Sequence, residues 1–288
     1  MKILYLWLIS ITMEKLSVVI ITFNEERNIG RCLESLQDIA DEIIVSDSFS
    51  TDRTEEICKE FGVKFYNRKW EGYSKQKNNA NNLASNNLIF SIDADEALSE
   101  KLKKSIAEIK LSAKANTAFK INRLTNYCGK WIHHCGWYPD TKLRIWFKDE
   151  GEWEGELHEK LVFDNEPQTS TLDGDLLHYS YYTLEDHHKQ VEKFTNIAAQ
   201  DYFDRNKKVT LIKLWLSPVV KFVRDYFLKL GFLDGRSGFR ICYISAGATY
   251  LKYKKLRVLN QESRIKIDIA GGELEESRCK TRDVKNPK

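Results

Sequence analysis

Proline is scarce in this 288-residue sequence, with four residues in all, and methionine is scarcer, with two. A chain so poor in proline is no rigid linker, and 42% hydrophobic with 30% charged residues is the composition of an ordinary folded protein. Paired cysteines are also missing. The six cysteines, Cys32, Cys58, Cys128, Cys135, Cys242 and Cys279, follow no metal-ligand spacing. Cys128 and Cys135 flank His133 and His134, but no second pair completes a structural zinc site, so the six read as reduced cytosolic thiols. There is no apolar stretch at the start long enough to span a bilayer: Met1–Thr12 is too short, and it lacks the small-residue cleavage site of a secretory leader. Residues 1–14 are read as an apolar extension, with Met13 an alternative start. Acidic residues, finally, are nearly absent from one region. From Arg205 to Arg257 there are 13 lysines and arginines against 2 acids, whereas the rest of the chain carries 32 basic and 40 acidic residues. A basic segment on an otherwise acidic protein points to an anionic partner, lipid headgroups or nucleic acid.

What is present is an alternation of buried strands and helices. Leu16-Ser-Val-Val-Ile-Ile-Thr-Phe23 is nearly continuously apolar, the pattern of a strand covered on both faces of a parallel sheet. After Asn24-Glu-Glu-Arg-Asn28, the residues Ile29, Cys32, Leu33 and Leu36 share one face of a helix expected to reach Ile39. Glu42-Ile-Ile-Val-Ser46 repeats the strand and closes on Asp47. Asp52 or Thr51 caps a second helix, Gly62 ends it, and Val63–Tyr66 is a third strand. This order predicts a doubly wound α/β sheet, in which ligands sit outside the carboxyl ends of the strands. The run Asn87-Leu-Ile-Phe-Ser-Ile-Asp-Ala-Asp-Glu96 brings two carboxylates to that edge. Strand alternation puts Asp93 and Asp95 on one side where the sheet stops. Such a pair makes a hard-oxygen site for Mg²⁺ or Mn²⁺, completed by substrate phosphates. Taken alone, an Asp-x-Asp is more often a solvated turn; the stretches around it favour the metal.

Four ordered stretches carry a resemblance. Ser17-Val-Val-Ile-Ile-Thr-Phe-Asn-Glu-Glu26, Glu42-Ile-Ile-Val-Ser-Asp-Ser-Phe-Ser-Thr-Asp-Arg-Thr54, Gln76-Lys-Asn-Asn-Ala80 and Ile92-Asp-Ala-Asp-Glu96 resemble the family 2 glycosyltransferases with the GT-A fold, a nucleotide-sugar-binding α/β domain. Gly136-Trp-Tyr-Pro-Asp-Thr-Lys-Leu-Arg144, Trp153-Glu-Gly-Glu-Leu-His-Glu-Lys-Leu161 and Phe232-Leu-Asp-Gly-Arg-Ser-Gly-Phe239 are similar to bacterial lipopolysaccharide-core β-1,4-glucosyltransferases. The resemblance implies an inverting, metal-dependent transfer of a hexose, glucose from UDP-glucose, onto a lipid-linked acceptor, an inner-core heptose of lipopolysaccharide. It further implies that Thr22, Asn24 and Glu25 border the nucleotide and that Asp47 accepts from the uracil imide N–H. Lys77, with Arg68 a weaker candidate, lies near the diphosphate. Asp95 coordinates the ion, Mg²⁺ or Mn²⁺, and Asp93 contacts the ribose or shares that ion. Plainer readings stand beside these: Asp47 fits a helix-capping turn, and Lys77 a solvated helix face.

Inversion requires a base on the face opposite the leaving diphosphate. Glu156, His158 and Glu159 are the dense candidates. An extended backbone pairs Glu156 with His158, and a helical turn pairs Glu156 with Glu159. The resemblance favours Glu159, with Glu156 and Asp140 behind it; a salt-bridged surface strand is the alternative. Trp131, Trp137 and Tyr138 suit a sugar-acceptor surface or serve as core anchors. His178, His187 and His188 are given no role.

Leu211–Leu230 places Lys213, Ser217, Lys221, Arg224 and Asp225 along one stripe of a helix, with leucines, Trp215, Phe222 and Phe227 around it. This is a basic amphipathic helix, kinked at Pro218, suited to lying in a membrane interface. Its charges exclude an ordinary spanning helix, and its apolar character argues against nucleic acid. A helical subdomain packed on the catalytic domain is the alternative. The expected organisation is a GT-A catalytic domain at 15–190, a basic amphipathic helical membrane-associating region at 191–260, and a charged, disordered tail at 261–288. The partners expected are a UDP-sugar donor, a lipid-linked saccharide and anionic lipids, at the cytoplasmic face of the inner membrane. Two rival functions remain open: transfer to a polyprenyl phosphate, and nucleotide-sugar binding without turnover.

Overall fold

Leu16–Thr22 forms β1, and its apolar side chains are covered on both faces, as a central parallel strand requires. The structure is a computed structural model describing residues 13–155 and 159–283, with side chains described up to residue 263. The extension at residues 1–12 and the candidates Glu156 and His158 lie outside the described residues. Two compact units are present. The first holds the described residues up to His133 together with Trp137–Ser180; the second holds His134–Gly136 and the described residues from Tyr181 on.

In the first unit, β1 is followed by α1 (Ile29–Leu36), β2 (Glu42–Asp47), α2 (Thr54–Glu60), β3 (Lys64–Asn67), α3 (Tyr73–Leu83), β4 (Leu88–Asp93), β5 (Glu96–Leu98) and α4 (Glu100–Ser112). Then come β6 (Thr117–Tyr127), β7 (Lys130–Ile132), β8 (Asp140–Phe147), β9 (Gly151–Glu154), β10 (Lys160–Phe163) and β11 (Gln168–Tyr181). The main sheet runs β3-β2-β1-β4-β8-β6-β11-β5, with β7 beside β6, while β9 and β10 pair separately. Strands β3, β2, β1 and β4 are parallel, whereas β8 joins β4 and β6 antiparallel. The α/β sheet with C-terminal helices expected from the sequence is therefore present, with antiparallel strands extending it. Strand order reverses at β1, and the register puts Thr22 opposite Asp47 and Ile21 opposite Asp93. The crevice of a switch point thus opens where the candidate residues lie.

Both faces of the sheet are filled. Leu16, Val18 and Ile20 pack among Ile29, Leu33 and Ile106 on one side, and Val19, Ile44 and Ile89 among Ala80, Trp146 and Trp153 on the other. Helix α1 stops at Leu36, short of the expected Ile39, because the Leu36 carbonyl accepts from both Ile39 and Ala40. Ser99 caps α4, its hydroxyl accepting from the Leu102 N–H at 3.3 Å.

The second unit contains α5 (Leu184–Asp204), α6 (Leu211–Val223) and α7 (Gly235–Asp283). Helix α5 opens with a reciprocal capping box: Thr183 Oγ1 accepts from the Asp186 N–H, and Asp186 Oδ2 from the Thr183 N–H. Pro218 sits inside α6 without ending it; a π-helical turn follows at Arg224–Leu228. Helices α5 and α6 both pack on α7. The charged segment expected to lack regular structure instead continues α7 as far as Asp283. Among the described residues, no helix is long and apolar enough to cross a membrane.

Candidate active site

The loops after β1 and β2 are stitched together by short polar side chains. Asn24 adopts φ 56°, a left-handed conformation that asparagine tolerates. Its N–H donates to Ser50 Oγ at 2.7 Å and its Oδ1 accepts from the Thr51 N–H at 2.8 Å. Asp47 is almost wholly buried. Its Oδ1 accepts from Thr22 Oγ1 at 2.7 Å and from Ser50 Oγ at 2.6 Å, and its Oδ2 from the Ser50 N–H at 2.6 Å. Asp47 therefore organises these loops. Glu25 accepts from Asn28 Nδ2 at 2.8 Å. Burial pushes its carboxyl above the usual range, against the Asn28 bond, and the charges of Asp95, Asp52 and Asp93 push the same way.

Helix α3 turns a polar face inward. Gln76 and Lys77 are buried on it, and Gln76 Nε2 donates to Ser46 Oγ at 3.1 Å. Lys77 Nζ lies 3.0 Å from Glu159 Oε1, 4.0 Å from Asp93 Oδ1 and 4.5 Å above the Trp153 ring. The solvated helix face considered for Lys77 is thereby excluded. Of the base candidates, Glu159 is brought to the Asp93 edge through Lys77. Asp140 stands apart, its Oδ2 paired with Arg123 at 2.6 Å and its Oδ1 with Lys142 at 2.9 Å. Burial works to raise the Asp140 carboxyl, but Lys142 and Arg123 hold it below the usual range. Both its oxygens being occupied, Asp140 is poorly placed to take a proton.

The aspartate pair has further charged neighbours. Arg144, on β8, is nearly buried, and its Nη2 donates to Asp93 Oδ2 at 2.8 Å and to Glu96 Oε1 at 2.7 Å. Glu96 also accepts from the Asp93 N–H at 2.9 Å, and Arg123 lies 3.6 Å from it. Burial acts to raise the Asp93 carboxyl, but Arg144 and then Lys77 hold it far below the usual range. Burial raises Glu96 despite Arg144. Asp93 is thus an ionised carboxylate locked to two cations. Asp95 differs. It faces His178, whose Nε2 lies 3.1 Å from Asp95 Oδ2 and whose Nδ1 lies 3.4 Å from Thr125 Oγ1. A carboxylate oxygen beside an imidazole nitrogen fits a divalent cation. Among the described residues, no group of three His, Cys, Asp or Glu side chains is arranged to hold a metal.

The aromatic candidates are tied into the first unit. Trp131 packs edge-on to Tyr179 with centroids 5.2 Å apart, and Tyr138 donates to Asp175 Oδ1 at 2.8 Å. One signal in the sequence pointed to Arg144: an arginine amid Leu143, Ile145, Trp146 and Phe147 needs buried carboxylates. His178 had no such signal.

The chain belongs to glycosyl transferase family 2, whose sequence model matches residues 17–152. It is a glycosyltransferase. An uncharacterised glycosyltransferase of Rickettsia typhi is 31% identical over 262 residues, 88% of this chain and 90% of that protein. The lipopolysaccharide core biosynthesis glycosyltransferase LpsC of Rhizobium meliloti is 26% identical over 257 residues, 83% of this chain and 93% of that one. A solved structure of S. aureus TarS 1-349 in complex with UDP-GlcNAc aligns over 87% of this chain and 91% of that chain, at 15% identity and a TM-score of 0.42. Likeness at that level says nothing about donor or acceptor.

Proposed function

We propose that this glycosyltransferase moves a hexose, glucose from UDP-glucose, with inversion onto a lipid-linked acceptor, the inner core of lipopolysaccharide. The observation that carries the reading is the convergence of Asp93, Asp95, Lys77 and Glu159 at the carboxyl end of β4. The similarity to LpsC supports the acceptor class.

Thr22, Asn24, Glu25 and Asp47 line the nucleotide end, and Asp93, held by Arg144, lies next to the ribose. A divalent cation, Mg²⁺ or Mn²⁺, held by Asp95 and His178 with the donor diphosphate completing its shell, would neutralise charge on the leaving group. Lys77 supplies a further positive charge there. The C1–O bond to the diphosphate breaks as the acceptor oxygen bonds to C1 from the opposite face, and the acceptor proton passes to Glu159. Glu159 Oε1 accepts the Lys77 hydrogen bond at 3.0 Å. A diphosphate that draws Lys77 toward itself leaves the Glu159 oxygens for the acceptor hydroxyl.

The test is a donor screen, measuring UDP release with each nucleotide sugar on a lipid-A-core extract. UDP-glucose is expected to give the fastest acceptor-dependent release. Release with another nucleotide sugar alone would reassign the donor, and no release with any would overturn the reading.

A further inference from the structure

Helix α6 buries a single apolar side chain, Leu214. Apart from the half-buried Phe222, its other large apolar residues are exposed. Ile212, Trp215 and Val219 on α6, Leu228 and Leu233 in the turns after it, and Tyr243 on α7 are each more than half exposed. Apolar surface on that scale marks a site of association.

The charges around it are of one sign. Between Leu211 and Tyr243 both acids, Asp225 and Asp234, are buried. Asp225 is paired with Lys221 at 2.5 Å and Arg224 at 2.8 Å, and Asp234 accepts from the His134 N–H at 2.9 Å. The cations of the same span, Lys213, Lys221, Arg224, Lys229, Arg236 and Arg240, all remain at least partly exposed. Every charge this span displays to solvent is therefore positive. A groove of about 450 Å³ opens on α6, lined by Ile212, Leu216 and Val220 together with Lys213, Lys221 and Arg224. Apolar and cationic walls side by side match the two ends of an anionic amphiphile.

We propose that this face of the helical unit docks on the interface of an anionic phospholipid bilayer, with the α6 groove receiving a lipid phosphate headgroup. The proposal deepens, and for its purpose rests on, the lipid-linked acceptor proposed above. Cations recurring along α6 are costly in a hydrocarbon core but stable at its edge, where long basic side chains reach the headgroups while the apolar ones enter the acyl boundary. A second copy of the chain is a poorer cover, since the same face would set like charges against each other. Nucleic acid would leave Ile212 and Leu228 without apolar contact.

The test is sedimentation of the full chain with vesicles of phosphatidylglycerol and phosphatidylcholine, against phosphatidylcholine alone. The parent is expected to pellet only with the anionic vesicles, less so in high salt. Replacing Lys229, Arg236 and Arg240 by glutamine should weaken this on the order of a hundredfold. The pair Ile212→Ser and Leu228→Ser should remove the salt-resistant part of binding. Circular dichroism and UDP release with a soluble saccharide acceptor should match the parent in both variants. A parent that stays in the supernatant, sediments as a stable dimer, or binds both vesicles equally overturns the proposal; so do variants that bind as the parent does. Vesicle binding without sugar transfer would instead overturn the proposed function and leave this surface standing.

Discussion

Arg144 interrupts an apolar strand, and its guanidinium is what allows Asp93 and Glu96 to lie side by side. Removing it leaves the Glu96 side chain, which has no solvent exposure, with the Asp93 N–H and Arg123 at 3.6 Å as its remaining partners. Arg144→Met should therefore cost about 3–5 kcal/mol in urea unfolding, and Arg144→Lys should recover only part, since lysine lacks the planar fork. Glu159→Gln keeps the shape of the side chain but removes its proton-accepting oxygen. Turnover at saturating acceptor should fall by about 10²–10⁴ while donor affinity is nearly unchanged; an unimpaired enzyme would return the search to Glu156. Asp95→Asn and His178→Ala should each raise the concentration of Mg²⁺ or Mn²⁺ needed for half-maximal turnover, read by metal titration. Asp93 and Asp95 are legible from the sequence because a strand ending on two acids is a local pattern. Arg144 and His178 reach them only through tertiary pairing, β8 against β4 and β11 against the turn after Asp93. The apolar neighbours of Arg144 call for a buried carboxylate without saying which one, and nothing local marks His178.

At the level of elements, the αβ alternation is legible because buried parallel strands are written as unbroken apolar runs. Helix ends and extents are less so. A charged composition suggests a disordered tail from residue 261, yet α7 continues as far as Asp283, since extending a packed helix is far cheaper than nucleating one. The glycines of the segment after α6 are a second case: their spacing carries no periodic signal, but the fold needs them. A Cβ on Gly238 would stand 1.9 Å from the Gly231 carbonyl oxygen. Gly238→Ala should destabilise the helical unit by roughly 1–3 kcal/mol through overpacking. Gly247, also on α7, has nothing within 4 Å of the same position, so Gly247→Ala should stabilise by about 0.5–1 kcal/mol. Thermal unfolding of the two variants separates steric need from helix propensity.

Over the whole molecule, one acid-sensitive cluster lies at the starts of the strands, the end of the sheet away from the candidate site. There the Leu16 N–H donates to Asp41 Oδ2, and Glu42 accepts from Ser17, Lys64 and Ser85. Burial acts to raise the Glu42 carboxyl, but the bonds from Lys64, Ser17 and Ser85 bring it down to about 2 from an ordinary 4.5. A depressed carboxylate stabilises fully above its unfolded value, and that contribution disappears as pH falls from 4.5 through about 2. With allowance for solvent around the half-exposed Lys64, on the order of 2 kcal/mol should be lost across that window. Glu42→Gln should flatten this part of the pH–stability curve; an unchanged slope would assign it to other groups.

The contact between Lys77 and Glu159 sets an order of events. If Glu159 takes the acceptor proton as proposed, the Lys77 bond to its Oε1 makes it a weaker base until the donor diphosphate draws Lys77 away, so productive encounters should begin with the donor and end with departure of the nucleotide. Initial-rate kinetics should therefore be sequential and ordered, UDP competing with the donor sugar nucleotide but not with the acceptor. In Lys77→Met, which frees Glu159 from the start, that compulsory order should relax toward random addition. Parallel double-reciprocal plots for the parent, or competition between UDP and the acceptor, would exclude this sequence.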